Sequence, residues 1–146
     1  MVLSGEVKLN ASRDLLWKML FDPDILKVCI PGCEALEKID DSTFQAVAKI
    51  KVGPVAARFK GKVSLEDLDP PSGCKIVGQG EGGVAGFAKG GATVTLAEDD
   101  GGTLLTYSVE AQIGGKLAQL GQRLISGTAK KLADEFFLGF AKAAQK

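Results

Sequence analysis

The chain has 146 residues, with 18 basic and 18 acidic side chains, no histidine and a formal net charge of zero. That balance draws no nucleic acid, and the missing imidazole removes the commonest general base and metal ligand. Hydrophobic residues make up 45% of the chain, yet no apolar run approaches the roughly 20 residues that cross a bilayer. One globular domain over residues 1–146 is expected.

Leu3, Gly5, Val7 and Leu9 alternate with polar residues and predict a first strand. No export signal is read in this segment, so a cytoplasmic location and reduced thiols at Cys29, Cys33 and Cys74 are expected. Three thiols without an imidazole fall short of a closed zinc site. Asn10 or Ser12 is placed to cap a short helix through Leu15, Leu16, Met19 and Leu20. Asp22-Pro23 opens a second, ending at Ile30-Pro31-Gly32. A short strand near Ala35 to Ile39 follows.

The best-specified hairpin comes next. Phe44, Ala46, Ala48, Ile50 and Val52 share one face, and beyond Gly53-Pro54 so do Val55, Ala57, Phe59, Gly61, Val63 and Leu65. A two-residue loop sets Val52 opposite Val55 and Ala48 opposite Phe59, so the apolar faces agree. Two more strands run from Lys75 to Gly82 and from Phe87 to Ala97, and a last one carries Leu105, Tyr107, Val109, Ala111 and Ile113 inward. Gly114-Gly115 ends it, and a helix of about 29 residues is expected from Lys116, with a stripe through Leu117, Leu120, Leu124, Ile125, Leu132, Phe136 and Phe140. The sum is an α+β domain of seven strands, two short helices after the first strand, and one long terminal helix.

Two features suggest sites. Gly78, Gly80 and Gly82, then Ala88, Gly90 and Ala92, stand where an inward face normally carries Val, Ile or Leu. Either a helix approaches closely there or a ligand occupies the space. In the second case Phe44, Phe59, Tyr107, Leu117, Leu120 and Leu124 line an apolar pocket, joined by Phe87 if a bulge at Gly86 turns it inward. The other feature is charge. Lys49, Lys51, Arg58, Lys60 and Lys62 form a basic outer face on the hairpin, with Lys49 opposite Arg58, and suit an anionic partner surface. Gly78-Gln79-Gly80-Glu81-Gly82-Gly83 spells the dinucleotide glycine pattern but leads into a strand, so no nucleotide is expected. Tyr107 is the sole inward candidate for acid–base work, which sets an enzyme reading behind a binding one.

The ordered blocks Ile30-Pro31-Gly32-Cys33, Lys51-Val52-Gly53-Pro54 leading into Arg58-Phe59-Lys60-Gly61, Gly114 to Gly121 with Arg123-Leu124-Ile125, and Phe136-Phe137 carry a resemblance over Met1 to about Ala143. The chain resembles the G-subunit family of carbon monoxide dehydrogenase. That resemblance implies a helix-grip fold, a curved antiparallel sheet around a long C-terminal helix, as in lipid-transfer START domains and pollen-allergen-like proteins. It also implies a non-catalytic accessory protein of a molybdenum hydroxylase. Such a protein would have no intrinsic cofactor, a bound quinone or lipid in an internal cavity, and a role in bringing the enzyme to the membrane. Some members carry a C-terminal extension thought to reach the membrane; with the sequence here stopping at Lys146, a peripheral contact at the inner membrane face is the expectation.

Overall fold

The computed structural model describes residues 1–145. Strand β1 (Val2–Leu9) leads into helices α1 (Arg13–Leu20) and α2 (Pro23–Cys29), followed by β2 (Cys33–Asp40), β3 (Thr43–Val52), β4 (Val55–Asp69) and β5 (Gly73–Glu81). A 3₁₀ turn at Gly83–Ala85 precedes β6 (Phe87–Asp99) and β7 (Gly102–Gly114); a second at Gly115–Leu120 precedes helix α3 (Gln122–Ala144). The seven strands form one antiparallel sheet in the order β1-β7-β6-β5-β4-β3-β2. The α+β helix-grip architecture is therefore as the sequence predicts.

Local chemistry sets the helix starts. Ser12, not Asn10, caps α1, its hydroxyl accepting from the Leu15 N–H at 3.2 Å. Asp22 caps α2 by accepting from the Asp24 N–H at 2.9 Å, with Pro23 at the first helical position. The β3–β4 hairpin has the predicted register: Val52 pairs with Val55, Ile50 with Ala57, Ala48 with Phe59 and Lys49 with Arg58. Its Gly53-Pro54 loop closes because Gly53 takes φ +57° at the first central position, a conformation that primed hairpin turns require.

The C-terminal helix departs from expectation. The run from Lys116 does not begin the helix; Gly115–Leu120 is 3₁₀, and Gly121 at φ +93° separates it from α3. The Leu117–Leu120 spacing of three fits a 3₁₀ turn as well as an α-helix, so periodicity alone did not separate them. A residue at φ +93° cannot continue either helix.

The core sits at one end. Its main cluster joins Leu9, Leu16, Met19, Leu20, Cys29, Val94, Leu96, Leu105, Tyr107 and Phe140, with Phe136 and Phe137 packed on it. Phe136 lies 5.7 Å from Phe140, ring to ring, so these aromatics close the core where α3 ends. A smaller cluster holds Phe44, Leu65 and Cys74. Toward the other end, where the Gly53-Pro54, Gly82–Gly86 and Gly114–Gly121 loops gather, only Ala48, Val52, Ala85 and Leu117 are buried hydrophobics among the described residues.

Candidate functional site: a small-residue band on the inner sheet face

Cross-strand register arranges the small inward residues as lateral rows. Ala46, Gly61, Gly80 and Ala88 lie side by side on β3, β4, β5 and β6, bounded by Leu36 and Ile113. The next row toward the core reads Phe44, Val63, Gly78, Gly90 and Ala111, and the one beyond it Leu65, Ile76, Ala92 and Val109. Four adjacent strands span about 14 Å between the outer two at roughly 4.8 Å each. Across that width nothing longer than a methyl group stands on the sheet. Helix α3 rests on α2 and β1 and reaches β3 on the opposite side. Leu124 marks that crossing, its Cδ2 lying 2.7 Å from where a Gly53 Cβ would be.

The predicted pocket residues divide into three groups. Phe59, Gly78, Ala88, Gly90, Ala92, Leu117, Leu120 and Leu124 belong to the band, its border or the loops at its open end. Phe59 lies beside Gly82, where a Cβ would meet its ring at 2.5 Å. Phe44 and Tyr107 are core residues instead. Phe44 is 3% exposed within the smaller cluster, and Tyr107 stacks on Phe137 at 5.0 Å across Gly5. Phe87 is outward: it shares parity with Lys89 and Gly91, is 43% exposed and covers Gly114. The bulge that would have turned it inward is absent from the β5–β6 and β6–β7 ladders.

The two central glycines differ in cause. A Cβ on Gly90 would stand 2.0 Å from the Glu110 carbonyl oxygen, so Gly90 is small because β7 crowds it. A Cβ on Gly78 meets Val63 Cγ2 at 3.5 Å and the Lys62 carbonyl at 3.6 Å, ordinary contacts that leave room above it. Gly80, expected as one of the small inward residues, is joined in the band by Ala46 and Gly61, which are expected inward on the hairpin but not as part of the pocket. Their parity was legible, but their alignment across four strands needs the register.

Three surface depressions lie outside this space. One of about 960 Å³ and one of about 450 Å³ open on the outer sheet face, and a third of about 440 Å³ lies between the start of α1 and the β6–β7 turn. The predicted basic residues Lys49, Lys51, Arg58, Lys60 and Lys62 are all exposed on the outer side. Arg58 is committed to Glu34 at 2.8 Å, and that bond holds its guanidinium pKa up. Burial pushes the Cys29 and Cys74 thiols above their usual range. Among the described residues no helix is long and apolar enough to cross a membrane.

A curved antiparallel sheet gripping a long helix is the START-like, helix-grip fold. The solved START superfamily protein of Mycobacterium smegmatis superposes at TM-score 0.74 with 10% identity, over 99% of this chain and 97% of that one. The chain belongs to the CoxG family, the G-subunit family of carbon monoxide dehydrogenase, whose model matches residues 5–145. A conserved protein of Geobacillus kaustophilus shares 34% identity at TM-score 0.92, over 99% of this chain and 95% of that chain. A di-domain aromatase/cyclase, BexL, matches in fold at TM-score 0.70 and 9% identity, over 100% of this chain and 50% of its own. No curated protein matches the chain.

Proposed function

We propose that this chain is a non-catalytic accessory protein that holds a quinone or lipid between the small-residue band and α3. In that role it helps bring a molybdenum hydroxylase of the carbon monoxide dehydrogenase type to the inner face of the membrane. The observation that carries the reading is the row Ala46–Gly61–Gly80–Ala88, which leaves the sheet without the side chains that normally meet a helix. Affinity would come from apolar burial, at about 25 cal/mol per Å². The rows of the band on the sheet side hold no titratable side chain, and Tyr107 is stacked on Phe137 in the core, which supports a binding role over acid–base catalysis. The exposed lysines of the β3–β4 hairpin would face the partner enzyme or the lipid headgroups.

The test is gentle purification, organic extraction and mass spectrometry, followed by uptake of added menaquinone. A stoichiometric quinone or acyl lipid in the native chain, lost in Gly78→Leu and Ala92→Phe, supports the carrier. An empty extract with no uptake of quinone overturns it in favour of a protein adaptor with a filled core.

A further inference from the structure

Between β7 and α3 the backbone holds a conformation that its own sequence disfavours. Lys116-Leu117-Ala118-Gln119-Leu120 consists of strong helix formers, and its apolar stripe runs on into Leu124. The segment is nevertheless 3₁₀ over the six residues Gly115–Leu120, where runs beyond about four are uncommon. One residue separates it from α3: Gly121, at φ +93°. At the other end Gly115 is wedged, since a Cβ there would stand 2.5 Å from the Gly86 Cα. No such crowding holds Gly121, which has nothing within 4 Å of its Cβ position. Its surroundings leave it free to take a helical φ.

The first turn of α3 is open to extension. Ser12 and Asp22 cap α1 and α2, whereas α3 has no side-chain cap. The Ile125 N–H already bonds the Gly121 carbonyl at 3.2 Å. With Gly121 helical, the N–H groups of Gln122, Arg123 and Leu124 would meet the carbonyls of Ala118, Gln119 and Leu120. One side chain opposes this. Leu117 is 5% exposed at the open end of the band, while Lys116, Ala118 and Gln119 are exposed and Leu120 is half-buried. Beyond the elements at its own two ends, the segment leans mainly on the Gly83–Ala85 turn. Burial of a single leucine favours the seated state by roughly tenfold to a hundredfold, a bias small enough for both states to be populated.

We infer that Gly115–Leu120 is a two-state lid, closed as a 3₁₀ turn with Leu117 seated and open as a backward extension of α3 through Gly121. Opening lifts Leu117 from the mouth of the band and sets it one heptad before Leu124, on the helix face that meets the hairpin tip at Gly53. That the lid gates a ligand rests on the inner site proposed above; the switch itself does not. It is tested by NMR on the isotope-labelled full chain. Relaxation dispersion in the wild type should show exchange confined to Gly115–Ile125, toward helical shifts. Gly121→Ala penalises φ +93° but not a helical φ, so the Cα shifts of Lys116 to Leu120 should become helical. Leu117→Ala unseats the latch without touching the joint and should raise the open population about tenfold. Stopped-flow uptake of the fluorescent apolar probe N-phenylnaphthylamine should quicken about tenfold in Leu117→Ala and stay unchanged in Lys116→Ala. Non-helical shifts in Gly121→Ala overturn the switch, as do amides at Lys116 to Leu120 that resist hydrogen exchange as strongly as those of β7. Uptake at one rate in every variant overturns the gating and leaves the inner site standing. Absence of uptake in every variant, with the helical shifts present, supports the switch and counts against the inner site instead.

Discussion

Gly78 and Gly90 face each other across one strand pair, and the space above them decides whether the inner face is a site. Gly90→Ala drives a Cβ into the Glu110 carbonyl, so the β6–β7 ladder must shift, and urea unfolding should show a loss of roughly 1–3 kcal/mol. Gly78→Ala meets only ordinary contacts and should change stability by less than about 1 kcal/mol. Equal losses at both positions would mean that α3 already fills the band. Period-two alternation placed both glycines, Tyr107 and Phe44 on the inner face correctly. It could not tell how far along each strand the core extends, because that depends on where α1, α2 and the end of α3 land. The buried thiols supply a second residue-scale prediction. Folded Cys29 and Cys74 hold their protons more tightly than the unfolded chain does, so above the ordinary thiol pKa of 9.0 the unfolded state binds fewer protons and stability falls with pH. The unfolding midpoint should therefore decline above about pH 9, less steeply in the Cys29→Ala/Cys74→Ala variant. Iodoacetamide on the native protein should label Cys33, which is partly exposed, before the other two.

At the scale of one element, helix α3 was only partly legible. Its apolar stripe could be read from Leu124 to Phe140, and so could its role as the gripped helix. Its start could not, since the stripe continues through the 3₁₀ turn and Gly121 reads like any other helical glycine in a sequence. The structure gives Gly121 and Gly127 opposite characters. Gly127 lies within α3 with nothing within 4 Å of its Cβ position, so Gly127→Ala should stabilise by about 0.5–1 kcal/mol. Gly121 holds φ +93°, a conformation that L side chains rarely adopt, so Gly121→Ala should destabilise by about 1–3 kcal/mol although its surroundings are equally open. Thermal or urea unfolding of the two variants should give shifts of opposite sign. Stabilisation in both would restore a continuous helix from Lys116.

A net charge of zero hides a polar molecule at the scale of the whole chain. Acids crowd the turns at the core end: Asp40-Asp41 between β2 and β3, Glu66 to Asp69 at the end of β4, and Glu98 to Asp100 at the β6–β7 turn. The opposite end presents exposed Lys51, Lys116 and Arg123 beside the loops that border the band. There the 3₁₀ turn holds Val84 out, 85% exposed, while its neighbour Ala85 is buried. A bilayer with anionic headgroups would meet this end first and would repel the other. Three basic side chains near such a surface contribute about 1 kcal/mol each, roughly a hundredfold in partitioning at low salt, and insertion of Val84 adds about 1.5 kcal/mol. Co-sedimentation with vesicles containing phosphatidylglycerol should exceed that with neutral phosphatidylcholine vesicles by about that hundredfold. Added salt should reduce it, and Val84→Glu should weaken it about tenfold. Equal binding to both lipids would remove the basic end from the contact, and binding to neither would leave the ligand to be exchanged through the partner protein alone.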